Sequence, residues 1–182
     1  MSGWAVVSQT LQQRRDRAAL LDLLGFFDWL GDSNLGGILR ERPPLPCLTG
    51  CSFCCHVGPD RPDLLPSELL RIVSYLQDPA RAAMLSEVVA RLRAAPETAP
   101  ERGKEACFFL HGGRCAIYAV RPMRCRAQHS PDRDACERYF VGEQGTMPLS
   151  REPALLYKSL QIGMRMGLYE AGLQNARLAL DG

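Results

Sequence analysis

Cys47-Leu48-Thr49-Gly50-Cys51-Ser52-Phe53-Cys54-Cys55-His56 sets four thiols and an imidazole within ten consecutive residues. The Cys51-x2-Cys54 step is the size of a tight turn, so one backbone bend can aim two sulfurs at a common point. Cys47 and Cys55 extend that pair to four candidate ligands. Four more cysteines, Cys107, Cys115, Cys125 and Cys136, follow at wider intervals and have to be brought in by the fold. Sulfur is soft and charge-donating, and four thiolates make a tetrahedral shell for zinc or for iron. All eight cysteines are therefore candidate metal ligands.

What eight cysteines mean depends on the compartment. Met1 to Ala19 lacks the basic start, apolar run and small-residue cleavage site of a secretory leader. No uninterrupted apolar stretch is long enough to cross a bilayer. The expectation is a cytoplasmic protein, where thiols stay reduced and a disulfide scaffold is disfavoured. Individual cysteines can also serve simply as small core residues. Two clusters in one reduced chain favour metal instead.

The thiols can divide as one four-ligand site with four spare, or as two four-ligand sites. Neighbours such as Cys54 and Cys55 tend to diverge in extended backbone, which suits different ions or different roles. The allotment preferred here takes Cys47, Cys51 and Cys54 with Cys115 or Cys125. Zinc and a [4Fe–4S] cluster both accept four thiolates at overlapping spacings. Iron–sulfur is favoured because cysteines outnumber usable histidines.

Outward from the first cluster, the chain reads as mostly α. At 182 residues it suits a single domain, 1–182, with a cysteine core near 45–140 and helical ends packed on it. Residues 9–30 carry Leu20, Leu23, Leu24, Phe27 and Leu30 at helical steps, with Gly31-Asp32-Ser33-Asn34 as a stop. Pro43, Pro44 and Pro46 predict an extended approach to Cys47. A second helix starts near Pro66-Ser67, and Pro79 divides it from a third bearing Met84, Leu85, Val88, Val89 and Leu92. Residues 95–104 read as an exposed loop. Phe108 to Leu110 and Ala116 to Tyr118 flank Gly112-Gly113 as a short β-hairpin. Its register matters. A two-residue turn puts Cys107 and Cys115 on opposite faces, whereas a three-residue loop including Arg114 puts them on one. A loop around Gly142 to Pro148 precedes a last helix at about 152–179.

Arg121, Arg124 and Arg126 surround Cys125, where a cation would offset thiolate charge or simply form surface ion pairs. His56, His111 and His129 are possible nitrogen ligands, His56 foremost because it follows Cys55. Phe108, Phe109, Ile117 and Tyr118 are expected to shield the site. Gly163, Gly167 and Gly172 either admit close helix packing or weaken the last helix. With net charge +2 and only Lys104 and Lys158 as lysines, nothing argues for nucleic acid or an anionic membrane surface. No phosphate-cradling loop or nucleophile–base pair stands out, and Ser52 reads as part of a metal turn.

Gly50-Cys51-Ser52-Phe53-Cys54-Cys55-His56, Cys107-Phe108-Phe109-Leu110 and the run Arg114-Cys115-Ala116-Ile117-Tyr118 through Cys125-Arg126 resemble the YkgJ-type cysteine cluster family. That family is also called the CxxCxxCC putative zinc- or iron-chelating domain. The likeness continues into His129-Ser130 and Cys136, covering about residues 45–140. The three residues between Cys47 and Cys51, where the name implies two, are a variant within the family. The resemblance implies metal chelation, and a related domain in flagellin lysine methylases is implied to hold an iron–sulfur cluster. Cys47-x3-Cys51-x-Phe53-Cys54 also meets the spacing of radical S-adenosylmethionine enzymes, but the chain lacks their alternating strand–helix pattern. The first expectation is a redox or metal-carrying module. The others are an enzyme with redox or methyl-transfer chemistry, acting with a protein partner, and a thiol redox sensor.

Overall fold

The computed structural model describes residues 2–40, 47, 50–57, 64–94, 105–143 and 145–173. Its helices are α1 (Gly3–Gln13), α2 (Arg17–Arg40), α3 (Pro66–Leu76), α4 (Ala82–Ala94), α5 (Met123–Arg126), α6 (Arg133–Val141) and α7 (Arg151–Glu170). Two small antiparallel ribbons complete the set, β1 (His56–Val57) with β2 (Glu105–Ala106) and β3 (Leu110–His111) with β4 (Arg114–Cys115). The chain is mostly α, as expected. No helix among the described residues is long and apolar enough to cross a membrane. The expected proline-led approach at 43–46 and the loop at 95–104 lie outside the described residues.

The single helix expected at 9–30 is two helices. Asp16 breaks it, accepting the backbone N–H of Ala19 at 2.7 Å and so capping α2. The expected stop at Gly31–Asn34 does not stop anything, and α2 runs on to Arg40. Those residues are spent on tertiary contacts. Gly31 is where Tyr157 of α7 enters, since a Cβ there would lie 2.5 Å from the ring. Asp32 accepts hydrogen bonds from Tyr157 and Arg126. The last helix ends earlier than expected, at Glu170. Gly172 adopts φ +73°, and Leu173 N–H bonds Leu168 C=O at 2.8 Å, closing the helix in a Schellman turn.

One core joins Val7 and Leu11 of α1 to Leu20, Leu24 and Phe27 of α2 and to Tyr157 and Met164 of α7, reaching Leu70 and Met123. A smaller core gathers Ile72, Leu76, Val88 and Ile117, with Phe109 and Cys115 packed against it. Glu68, buried at the start of α3, accepts Leu65 N–H at 2.9 Å and Met123 N–H at 2.8 Å. That carboxylate ties the start of α3 to the start of α5.

The second ribbon turns at Gly112-Gly113, both at positive φ (+52° and +75°), as a two-residue primed turn requires. Leu110 pairs with Cys115. The chain does not extend this ribbon back to Cys107; Leu110 N–H folds onto Cys107 C=O at 2.8 Å. The alternation that would have put Cys107 opposite Cys115 is thereby broken. Across from it, α4 braces the hairpin: Arg91 donates to Leu110 C=O, and Glu87 meets His111 Nδ1 at 2.6 Å.

Arg126 is the buried tie of the fold, only 5 % exposed. It donates to Asp32 at 2.7 Å and Asp28 at 2.9 Å on α2, and to the carbonyls of Arg121 and Ala119, both at 3.1 Å. Arg71 of α3 also pairs with Asp28. Removing one member of such a buried pair leaves an uncompensated charge. Arg126→Ala is therefore expected to lower stability by about 3 kcal/mol in denaturant unfolding, and Arg124→Ala, at an exposed position, to leave it unchanged. In α7 the two glycines should separate. A Cβ on Gly167 would meet Val7 Cβ at 2.4 Å and Trp4 C=O at 2.8 Å. Gly167→Ala should cost about 1–3 kcal/mol by overpacking. Gly163, whose nearest neighbour would be 3.6 Å away, should tolerate alanine or gain up to about 1 kcal/mol in helix propensity.

Candidate metal centre

The site is built on a 3-10 turn, Phe53–Cys55, closed by Cys55 N–H to Ser52 C=O at 2.9 Å. His56 Nδ1 lies 3.0 Å from the same carbonyl, holding the imidazole against the turn. Phe140 of α6 packs against both Phe53, at 5.6 Å between ring centroids, and His56, edge-on at 4.5 Å. Cys136 sits one helical turn before Phe140, so this aromatic contact carries the last cysteine to the first cluster. Asp132 caps α6 through Ala135 N–H at 2.9 Å.

Cys47, Cys51, Cys54 and Cys136 line one small open recess. Phe53, Met147 and Leu149 form its apolar wall, and Gln128 and Ser130 its polar one. Ser130 N–H points at Cys47 Sγ at 3.1 Å, and Ser130 also bonds Cys136. Cys136 thus lines this recess beside Cys47, Cys51 and Cys54, while Cys115 and Cys125 do not. It is α6, a segment for which the sequence predicts no element, that carries Cys136 there.

Cys55, Cys107, Cys115 and Cys125 do not line that recess. Cys107 N–H bonds Cys55 C=O at 2.7 Å, and the next residues pair as β1 with β2. Each of Cys55, Cys115 and Cys125 feels the charge of Cys107. Cys54 stands between the two groups, close enough to act on Cys47 and Cys136 on one side and on Cys115 and Cys125 on the other.

Burial favours the neutral thiol, because a thiolate loses its hydration there. It raises Cys47, Cys115 and Cys136, and pushes Cys125 up to about 12. Cys54 moves the other way, down to about 7, because the Cys55 thiol donates a hydrogen bond to its sulfur. Giving that bond, and then its burial, raises Cys55. Arg121 is the cation that faces the thiols, acting on Cys54, Cys115 and Cys125. Its guanidinium lies 4.3 Å over the exposed Tyr118 ring, so Tyr118 is a platform for Arg121 and not the shield expected of it. Arg126 turns away into α2, and Arg124 is exposed.

One of the three histidines is occupied elsewhere, and His56 keeps its Nε2 as a possible donor. His56 serves the turn, and His111 pairs with Glu87 on the far side of the hairpin. His129 is partly buried, its charged form disfavoured by burial and by Arg121, and its Nε2 has no protein partner. Sequence reasoning missed Gln128, Phe140, Met147 and Leu149. Only Phe140, four residues after Cys136, carried a signal, as a helical neighbour of a cysteine.

A set of eight thiols suits zinc or an iron–sulfur cluster by its chemistry, and no disulfide joins them. Among the described residues no three His, Cys, Asp or Glu side chains lie close enough to grip one ion. Coordination needs deprotonated sulfur, so metal binding and proton release would go together. Neither a curated protein nor a solved structure matches the chain. The model of one family does match, over residues 46–143, which spans every cysteine and more than half the chain. The chain belongs to the family described as CxxCxxCC, putative zinc- or iron-chelating domain.

Proposed function

We propose that the chain is a thiolate metal protein, with its eight cysteines as the ligands and a redox or metal-carrying role in a reducing compartment. One observation carries this reading. Cysteines of the first cluster and of α6 line one recess at the 3-10 turn, and those before the hairpin, on β4 and on α5 lie near enough to Cys54 or to one another for their charges to act, while His111 is engaged elsewhere. A donor set so rich in sulfur favours an iron–sulfur cluster over mixed-ligand zinc; four-thiolate zinc is the alternative. When bound, such a cluster supplies one-electron chemistry, and zinc supplies a structural or transferable ion. The chain's own part is to dehydrate the thiols and to set Arg121 beside their charge.

An enzyme with an open metal position is the weaker reading. Cys136 beside Cys47, Cys51 and Cys54 offers a fourth thiol where such an enzyme needs a vacancy.

Protein purified anaerobically without added metal is expected to be brown, with broad visible absorbance that bleaches on reduction. A colourless sample with stoichiometric zinc would replace iron–sulfur by zinc. A sample that retains neither metal, and takes up neither, would end the reading. After metal is stripped, Cys54 should be alkylated first just above neutral pH, its rate climbing through pH about 7, since its thiolate is already populated there. Cys125 should lag by more than about a hundredfold, and metal loading should protect both.

A further inference from the structure

Ser130-Pro131-Asp132 is the corner between α5 and α6, and its residue types fix its shape. Proline locks its own φ and biases the residue before it to extended backbone. The Ser130 hydroxyl then closes a turn onto Asp132, accepting its N–H at 3.1 Å and donating to its C=O at 2.8 Å. That same carbonyl takes the N–H of Cys136 at 3.2 Å, and the Asp132 side chain caps α6. On its other side the corner is pinned to α7, since Ser150 N–H donates to His129 C=O at 2.6 Å. Ser130 is 3 % exposed, so its backbone N–H has to find a partner inside the protein. Among the described residues that partner is not a backbone oxygen. It is Cys47 Sγ, 3.1 Å away and 83 residues earlier in the chain. The Ser130 carbonyl stands 3.7 Å from the same sulfur, so one residue meets the thiol both as donor and as acceptor.

We infer that Ser130 is a positioning residue of the recess: the corner it makes with Pro131 and Asp132 presents its backbone N–H to Cys47 and holds that thiol beside Cys51, Cys54 and Cys136. Cys47 is exposed, and an exposed side chain keeps its rotamer freedom unless a bond takes it away. The bond from Ser130 does so, and the same residue lines the recess that the four cysteines share. The serine hydroxyl is what the corner needs from this position. Threonine could close the same turn onto Asp132; alanine could not. The N–H bond also survives loss of the thiol proton and strengthens, because its acceptor becomes charged. Metal-bound sulfurs and imidazoles are oriented by such outer partners. That the sulfur so held serves as a metal ligand rests on the function proposed above; that Ser130 holds it does not.

Amide hydrogen exchange at Ser130, read by NMR on the full-length chain in its reduced and metal-free form, tests the bond directly. Cys47→Ala is expected to speed exchange at Ser130 by about tenfold, the worth of one modest hydrogen bond, while Cys51→Ala leaves it unchanged. Equal protection in Cys47→Ala overturns the inference, because another group then holds the N–H. Cys47 is exposed, so its truncation spares the core, and this measurement needs no substitution at the buried serine. Cobalt(II), whose near-ultraviolet absorption grows with each sulfur it binds, is the second probe. Ser130→Ala should lower that absorption to the level of Cys47→Ala, Ser130→Thr should restore it, and the double variant should show no further loss. Losses that add, or a Ser130→Ala spectrum equal to that of the unmodified chain, overturn the positioning role. An unmodified chain that binds no cobalt overturns the metal reading instead, and the exchange rates alone then decide the inference.

Discussion

A guanidinium placed where water cannot reach it must be met by carboxylates, and Arg126 is met by two from α2. The pairing fixes more than a charge. It sets α5, and with α5 the neighbouring Cys125, at a defined height on α2, while two backbone carbonyls from Ala119 and Arg121 fasten the segment leading out of the hairpin. Burial disfavours the charged form of Asp28 even beside two arginines, so the tie is held under tension between desolvation and attraction. Such a network gives little net stability compared with an apolar substitute, but it tolerates few alternative arrangements. The cysteine-bearing segments inherit that definition.

The opposite balance holds at the thiols. They are placed where neutrality is easy and charge is costly, with Arg121 as the relief. A site of this kind discourages loose thiolates and admits charge only when a cation arrives to share it. The departure is Cys54, depressed first by a neighbouring thiol and further by Arg121, and it lies at the exposed edge. Reactivity is thus concentrated at the boundary between the two groups of sulfurs.

Much of this was legible in the residues. The cysteine spacing, the helices from Pro66 and around Val88, and the Gly-Gly hairpin follow from local rules of turn size, periodicity and positive φ. What local rules could not show was the use of polar residues at a distance. Gly31 and Asp32 have the composition of a helix stop, yet their partners Tyr157 and Arg126 lie about a hundred residues away in sequence. For the same reason Cys136 does not stand out as a neighbour of the first cluster, because its delivery depends on a short polar helix whose Phe140 ring meets Phe53 and His56. Arg121 and Arg126 could not be told apart by sequence either. Only the fold decides which of two nearby arginines faces sulfur and which faces carboxylate.

The close approach of α1 to α7 at Gly167 has a consequence in time as well as space. Among the described residues α1 and α7 share one face, and the segments bearing all eight cysteines lie between them in sequence. A ribosome therefore delivers every thiol before it delivers the helix that completes the core around Phe27 and Val7. For that interval the sulfurs emerge on an unclosed scaffold. Their correct pairing with metal, and their escape from oxidation, must be decided either by the surroundings of the nascent chain or after α7 has docked.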